Sequence, residues 1–449
     1  MGIVYLVLFA LAEILLVVLT FTKFQEKAAW QKNKVIIRAA EIVILLGMIL
    51  LPVVHMKWRF FAVLGLVVVR FIFAGIMWLI KHKKATGMKK KAWSAINCVV
   101  SVILAAIAIL PSLLFANYNG LPTKGSYNVK ETSAILIDKS RVDPFETDGS
   151  YREIPAHFYY PENAEGEYPL VLFSHGAFGY YQSNYSTYAE LASNGYVVAA
   201  LDHPHHSFFT KDTNDKVITV DQDFINNVIS IDESTGYEQI LKMSQEWINL
   251  RVDDEKYVLD TIESAKNSKS LDDTWFTDDK ETIISVLGIT DTDKIGLMGH
   301  SLGGAVSVTV GRERDDIDAV IDMDGNMFGE ITGIKNGKFE YYTDSYSVPL
   351  LALFTENNYN TIEADPDGGL LRVNRVVIDN AKDGKITCFS NAKHMDFTDL
   401  PLFSPFLGSM LGHGDVDSEE MMTTVNGVIL DWFNYYLKGE GELEIQSKY

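Results

Sequence analysis

Residues 299–303 read Gly-His-Ser-Leu-Gly, a G-x-S-x-G pentapeptide. No other stretch of the chain constrains the fold so tightly. It follows the apolar run Lys294-Ile295-Gly296-Leu297-Met298 and precedes Gly304-Ala305-Val306-Ser307-Val308-Thr309-Val310, small and apolar enough to be a buried helix. Strand, pentapeptide and helix together make a nucleophile elbow, the sharp turn that lifts a serine hydroxyl above the end of a sheet. Gly299, Gly303 and Gly304 are the residues that such a tight turn demands.

A serine hydroxyl needs a histidine base, and the histidine needs an acid that fixes its tautomer. Where this elbow is used, the partners follow in the order Ser, Asp or Glu, His. Of the ten histidines only His394 and His413 follow Ser301. His394 lies in the loop after the strand-like Lys385–Phe389 and is preferred; His413 lies nearer the final helix. The acid belongs at the end of the strand Ala319–Gly325. Asp322 and Asp324 share one face there, and Asp324 stands at the carboxyl end where catalytic loops gather. Asp324 is preferred and Asp322 is the alternative.

The amide of the residue after the nucleophile, Leu302, is one oxyanion donor. The second comes from the loop after an earlier strand. Leu170–Phe173 is strongly apolar, Ser174-His175-Gly176-Ala177-Phe178-Gly179 follows it, and the Ala177 amide is assigned the role. His175 precedes the serine and is expected to support that loop by hydrogen bonding. Phe178, Tyr180 and His203 are candidates for the substrate pocket. Asp202-His203-Pro204-His205-His206 has the look of a metal cluster, but vicinal histidines do not readily share one ion. No metal and no cofactor are expected.

The ordered set of segments resembles the platelet-activating factor acetylhydrolase family, a lipase-like branch of the α/β-hydrolases. The likeness runs through Phe173–Gly176, Leu191–Ala200, Gly299–Ala305, Met323–Phe328 and Pro349–Asn357. It covers roughly residues 130 to 440 and implies Ser301, Asp324 and His394 as the triad. It also implies a short-acyl phospholipid or similar lipid ester as substrate. Gly325-Asn326 after the acid, and the long polar segment from His205 to Ser285, depart from the family pattern.

The first quarter of the chain is a different material. Residues 3–21, 36–56, 60–80 and 93–115 are apolar stretches of roughly spanning length. The first has no basic leader and no A-x-A-like cleavage site, so it reads as a span rather than a signal peptide. Ten basic residues flank the first-to-second and third-to-fourth connections, against Lys57 and Arg59 in the short link between. The basic side belongs in the cytoplasm, which places the remainder of the chain outside. Glu13 and Arg70 fall near mid-span and are expected to pair.

Charge divides the chain in the same place. Residues before 116 carry a net +11 and the rest a net −31, so nucleic acid is not an expected partner. Cys98 and Cys388 suggest no disulfide. The expected fold is α/β: an α/β-hydrolase with a mostly parallel sheet covered by helices on both faces, at residues 131–449. A helical insertion at about 205–290, without a core strand, reads as a cap or as helices packed on the sheet. Residues 117–130 form the linker and 1–116 an all-α, four-helix transmembrane domain. The expected activity is that of a membrane-anchored serine ester hydrolase at the cell membrane, its hydrolase domain extracytoplasmic. A general carboxylesterase or polyester hydrolase, or a catalytically silent membrane-tethered sensor, are the alternatives.

Overall fold

The computed structural model describes residues 2–22, 26–51, 57–81, 87–231, 235–364 and 370–449. Two compact units emerge, one of residues 1–118 with 403–407 and the other of 119–402 with 408–449.

The first unit contains four helices: α1 (Gly2–Thr22), α2 (Lys27–Leu50), α3 (Phe61–Lys81) and α4 (Lys91–Leu114). Its polarity is inverted. Ile3, Val43, Leu50, Val69 and Ile107 are exposed, whereas Glu13, Arg38 and Glu41 are buried. A bundle in water shows the opposite pattern, because burying a charge costs far more than exposing an aliphatic side chain. Among the described residues three helical stretches, Ile3–Thr22, Trp58–Lys81 and Lys91–Leu114, are long and apolar enough to cross a membrane. Four were expected. The remaining helix, α2, falls short because Lys27, Lys32, Lys34, Arg38 and Glu41 dilute its apolar residues. The expected Glu13–Arg70 pair forms, and Glu13 is shared with Arg38 as well. Residues 52–56 of the expected second span, and Lys23, Lys83 and Lys84 of the basic connections, lie outside the described residues.

The second unit is built on one twisted sheet. Strands β1 (Val129–Val142) and β2 (Tyr151–Pro161) pair antiparallel, and β3 (Tyr168–Ser174), helix α5 (Tyr185–Ser193) and β4 (Val197–Leu201) begin the parallel part. A small hairpin of β5 (Phe209–Lys211) and β6 (Val217–Thr219) leads to α6 (Gln222–Ser230), the long α7 (Tyr237–Ser268), β7 (Trp275–Phe276) and α8 (Lys280–Gly288). Then come β8 (Thr290–His300), α9 (Leu302–Glu313), β9 (Ala319–Met323), and a second hairpin of β10 (Ile331–Lys335) and β11 (Lys338–Tyr341). The chain closes with β12 (Leu350–Thr355), α10 (Glu356–Ala364), α11 (Arg372–Asn380), β13 (Gly384–Phe389), the short α12 (Leu400–Phe403) and α13 (Pro405–Met410), and α14 (Ser418–Phe433). Among the described residues the sheet has nine strands in the order β13-β12-β9-β8-β3-β4-β2-β1-β7. The strands from β13 to β4 are parallel.

The central strands are buried on both faces, which explains their unbroken apolar runs. In β3, Leu170 and Leu172 point into one core with Val306 and Val310 of α9 and Val258 and Ile262 of α7. Val171 and Phe173 point into the other, with Tyr188 of α5 and Ile429 and Trp432 of α14. Helix α7 is therefore largely a sheet-covering helix rather than a lid. Between Asp202 and β8 the described residues add to the sheet only the two-residue β7, which pairs with Ile135 and Leu136 at its edge. Two residues carry no periodicity from which a strand could be read. Leu172→Ala should cost roughly 2–5 kcal/mol, since it leaves a cavity between the central strands and α7–α9. Urea unfolding of the detergent-solubilised chain, followed by tryptophan fluorescence, measures it; a loss below about 1 kcal/mol would mean the core is not packed in this way.

Candidate active site

Strand β8 ends at His300 and α9 begins at Leu302, leaving Ser301 alone at the turn with φ 56° and ψ −121°. That backbone is strained for any residue with a side chain and is characteristic of functional positions. The turn is held because its neighbours approach too closely for a Cβ. At Gly303 a Cβ would strike the carbonyl oxygen of Ser174 at the end of β3. Ser301 N–H donates to Met323 O at 2.8 Å, which ties the turn to the end of β9. The serine side chain does not cap α9, so its hydroxyl is left to other partners.

Asp324 follows β9, also with a positive φ of 56°. Its Oδ2 lies 2.8 Å from His394 Nδ1, and its Oδ1 accepts from Thr355 N–H and Asn358 Nδ2, each at 2.9 Å. Burial works to raise its pKa. The hydrogen bond from His394, that ring's charge, and the Thr355 and Asn358 donors outweigh burial and hold the carboxyl below the ordinary carboxylate value. A carboxylate can only accept, so His394 carries its proton on Nδ1 and presents Nε2 as the basic nitrogen. The His394 side chain is 44% exposed while that of Asp324 is fully covered. Beside His394 stands the ring of His300, 4.6 Å away centre to centre, with its Nε2 3.0 Å from the His394 carbonyl oxygen. Burial, and next His394, pull His300 down to about 3, so it stays neutral.

Asp322 points elsewhere. Its Oδ1 accepts from Gly325 N–H at 3.0 Å, and burial followed by the neighbouring Asp324 pushes its pKa well above the ordinary range. His413 is paired with Asp396 instead.

The loop after β3 turns through Gly176 and Ala177. The amides that follow are used within the fold: Phe178 N–H reaches His206 O at 3.3 Å and Gly179 N–H reaches Gly176 O at 3.1 Å. Among the described residues no acceptor takes the Ala177 amide. Ala177, Phe178 and Leu302 pack against Phe224 of α6 and Met243 and Trp247 of α7, an apolar wall beside the elbow. Tyr180 packs on Phe209 and Tyr181.

His203 does not face a substrate; the pocket assignment is corrected. It is fully buried, with Nε2 2.9 Å from Ser174 Oγ and Nδ1 2.9 Å from Asp254 Oδ2. Asp254 also accepts from Arg152 and Arg141. The result is a second Ser–His–Asp chain, Ser174–His203–Asp254, each member sealed from solvent. No ester carbonyl reaches it, so it anchors the residue before the oxyanion loop. Burial pulls His203 down to about 4, which keeps its ring neutral. His175 supports the same loop as expected, with Nε2 2.7 Å from Ser207 Oγ, and its carbonyl accepts from Arg251. Among the described residues no cluster of three or more His, Cys, Asp or Glu is arranged to hold a metal ion. Sequence reading missed Asp254, Arg152 and Arg251; they sit outside any motif.

Residues 149–444 match the family described as platelet-activating factor acetylhydrolase, isoform II. The chain belongs to the platelet-activating factor acetylhydrolase family. It is 25% identical to a platelet-activating factor acetylhydrolase of Cavia porcellus over 294 residues, 64% of this chain and 61% of that one. Its identity to the Canis lupus familiaris protein of the same name is 30% over 167 residues, 34% of this chain and 33% of that one. The chain thus spans about three fifths of the guinea-pig relative's length at most. A ferulic acid esterase from Streptomyces cinnamoneus superposes with a TM-score of 0.53 at 19% identity, covering 73% of this chain and 95% of that one. The fold is that of an α/β-hydrolase.

Asp324→Asn should reduce ester turnover by roughly three to four orders of magnitude, because an amide can stabilise the wrong imidazole tautomer. Asp322→Asn should cost far less. Steady-state kinetics of the two variants check this; the reverse ranking would hand the role to Asp322.

Glu255, on α7 beside Ser174, makes a pH prediction. Burial lifts it from 4.5 to about 8, against the opposing pulls of Ser174 and Arg251. Between those pH values the folded chain holds a proton that the unfolded chain has released, so stability falls as pH rises through that window. Glu255→Gln should flatten the decline in Tm between about pH 5 and pH 8. An unchanged decline would show that Glu255 is not buried as a proton-holding group.

Proposed function

We propose that the chain is a membrane-anchored serine ester hydrolase acting on short-acyl phospholipids or similar lipid esters. The observation that carries this reading is the 2.8 Å contact between His394 and Asp324 at the same strand ends as the strained Ser301 turn. Family membership supports the same chemistry. Ser301 Oγ attacks the ester carbonyl while His394 Nε2 takes its proton. Asp324 holds the ring and balances the imidazolium. The amides of Leu302 and Ala177 stabilise the oxyanion, a contribution of roughly 3 kcal/mol for each donor. The tetrahedral intermediate collapses, the C–O bond of the leaving alcohol breaks, and His394 returns the proton to it. Water, deprotonated by His394, then attacks the acyl-Ser301 ester and releases the carboxylic acid and free Ser301.

The apolar wall of Phe224, Met243 and Trp247 stands beside both oxyanion residues and suits a small acyl group. Anchoring rests on the inverted polarity of the N-terminal helices, including α2, whose Arg38 and Glu41 are buried while Ile36, Val43 and Leu50 are exposed. With α2 crossing, four spans bring both ends of the bundle to one side, and the basic connections place that side away from the cytoplasm.

Ser301→Ala should lower hydrolysis of a short-chain ester by at least about a thousandfold and abolish fluorophosphonate labelling, with the fold intact. Turnover across phospholipid esters graded by acyl length should fall as the chain grows. Retained labelling would remove Ser301 from the mechanism. A flat profile, with bulky non-lipid esters accepted equally, would point to a general carboxylesterase.

A further inference from the structure

The helical unit contains a cavity of about 80 Å³ that the esterase chemistry does not use. It holds two or three waters by volume, or the oxygens of one phosphate or carboxylate group. Trp30, Lys34 and Arg38 of α2, Arg70 of α3, and Ser94 and Asn97 of α4 line it, and Glu13 of α1 contributes to its wall. Carboxylates and cations here are unequal in number. Glu13 is shared between Arg38 and Arg70, and Arg38 is also paired with Glu41. Lys34 adds a third cation, and among the described residues no carboxylate lies within ion-pair distance of it. Three cations against two carboxylates leave one positive charge in a place where a lone charge is costly.

The hydrogen-bond accounting is uneven in the same sense. Arg70 spends one nitrogen on Glu13 and on Ser101 Oγ, the latter at 2.9 Å. After these contacts Trp30 Nε1, Arg38 Nε and Arg70 Nη1 are buried donors with no acceptor among the described residues. All three belong to residues lining the cavity. The idle acceptors nearby, Gln31 Oε1 and Glu41 Oε2, belong to residues that do not line it. Unmet buried donors around an excess positive charge call for an acceptor-only, singly negative group.

We infer that this cavity is an oxyanion site taking one singly charged phosphate or carboxylate headgroup. Lys34 lines it, and the Lys89 ammonium lies 3.9 Å over the Trp30 ring. The ligand's oxygens accept from the Trp30 indole and the idle arginine nitrogens, and its charge balances Lys34. The same chemistry arrives either on an amphiphile whose chain stays among the exposed aliphatic side chains or as a free anion. The site is independent of Ser301, so the fate of the esterase reading does not decide it.

The test is equilibrium binding to the full-length chain in neutral-detergent micelles or phosphatidylcholine nanodiscs, counted by native mass spectrometry. Dodecyl phosphate and dodecanoate are the amphiphile probes, inorganic phosphate and acetate the free-anion probes, and dodecyl maltoside the neutral control. One dodecyl phosphate per chain should bind saturably, with the neutral amphiphile showing no such site. Lys34→Gln should weaken binding by about tenfold, the loss of one charge-assisted contact. Trp30→Phe, which deletes the indole N–H and keeps the aromatic ring, should weaken it several-fold. Neither substitution touches the Glu13–Arg38–Arg70 pairing; Lys34→Gln should keep the parent melting temperature, Trp30→Phe should lower it modestly because Trp30 is buried against Leu16 and Ile37, and Ser301→Ala should bind as the parent chain does. Competition by inorganic phosphate would identify a free-anion site, and its absence a headgroup site. Binding unchanged in Lys34→Gln and Trp30→Phe, equal uptake of dodecyl maltoside, or no saturable anion binding at all would overturn the inference.

Discussion

The close approach of α9 to the end of β3 is the constraint on which the active-site half of the molecule depends. Gly303 sits where a Cβ would meet the Ser174 carbonyl, so the first turn of the helix can lie directly over the strand end. The strained backbone at Ser301 lies at that contact, and Leu302 packs on the same apolar wall as Ala177. The proposed nucleophile and the two proposed oxyanion amides thus stand together at one close contact between helix and strand end. The cost of the strain, of order 1–3 kcal/mol, is carried by a sheet whose central strands are sealed on both faces.

Beneath that surface lies a layer of buried charge. Asp254 receives Arg152, Arg141 and His203, and through His203 it reaches Ser174. Arg251, three residues before Asp254 on the same helix α7, reaches the His175 carbonyl. Buried ionic groups of this kind add little net stability compared with apolar packing, and their worth lies in geometry. Here the network fixes both residues that lead into the oxyanion loop. The buried Ser174–His203–Asp254 chain therefore coexists in one unit with the His394–Asp324 pair, and exposure separates the two. One has its histidine open to solvent; the other is closed on every side.

The helical unit follows the opposite solvent logic. Many of its aliphatic side chains face outward while Glu13, Arg38 and Glu41 face inward, and charge not satisfied by a partner within the bundle remains as a demand for one. Water would dissolve that demand by hydrating Lys34 and the arginines. A hydrocarbon surround would not, which is why the same residues would be unremarkable on a soluble helix.

Much of the candidate site was legible in the chain because it depends on local order. The elbow is a contiguous pentapeptide between two recognisable elements, and chain order alone singled out His394 and the Asp322/Asp324 pair. Alternation places both aspartates on one face, and only the tertiary structure separated them: Asp324 lies past the strand end within reach of His394, Asp322 one step inside against Gly325. The role of His203 was not legible, because its partners stand 29 and 51 residues away in sequence and carry no motif. The polar segment after Asp202 resembled a lid, since amphipathic spacing does not say which surface an apolar stripe covers; the sheet decided that for α7. In the helical unit the sequence by itself determined four apolar segments and the depth of Glu13 and Arg70. The sharing of Glu13 between two arginines, and the idle donors around the cavity, were decided by packing, because hydrogen-bond satisfaction is a property of neighbours brought together in space.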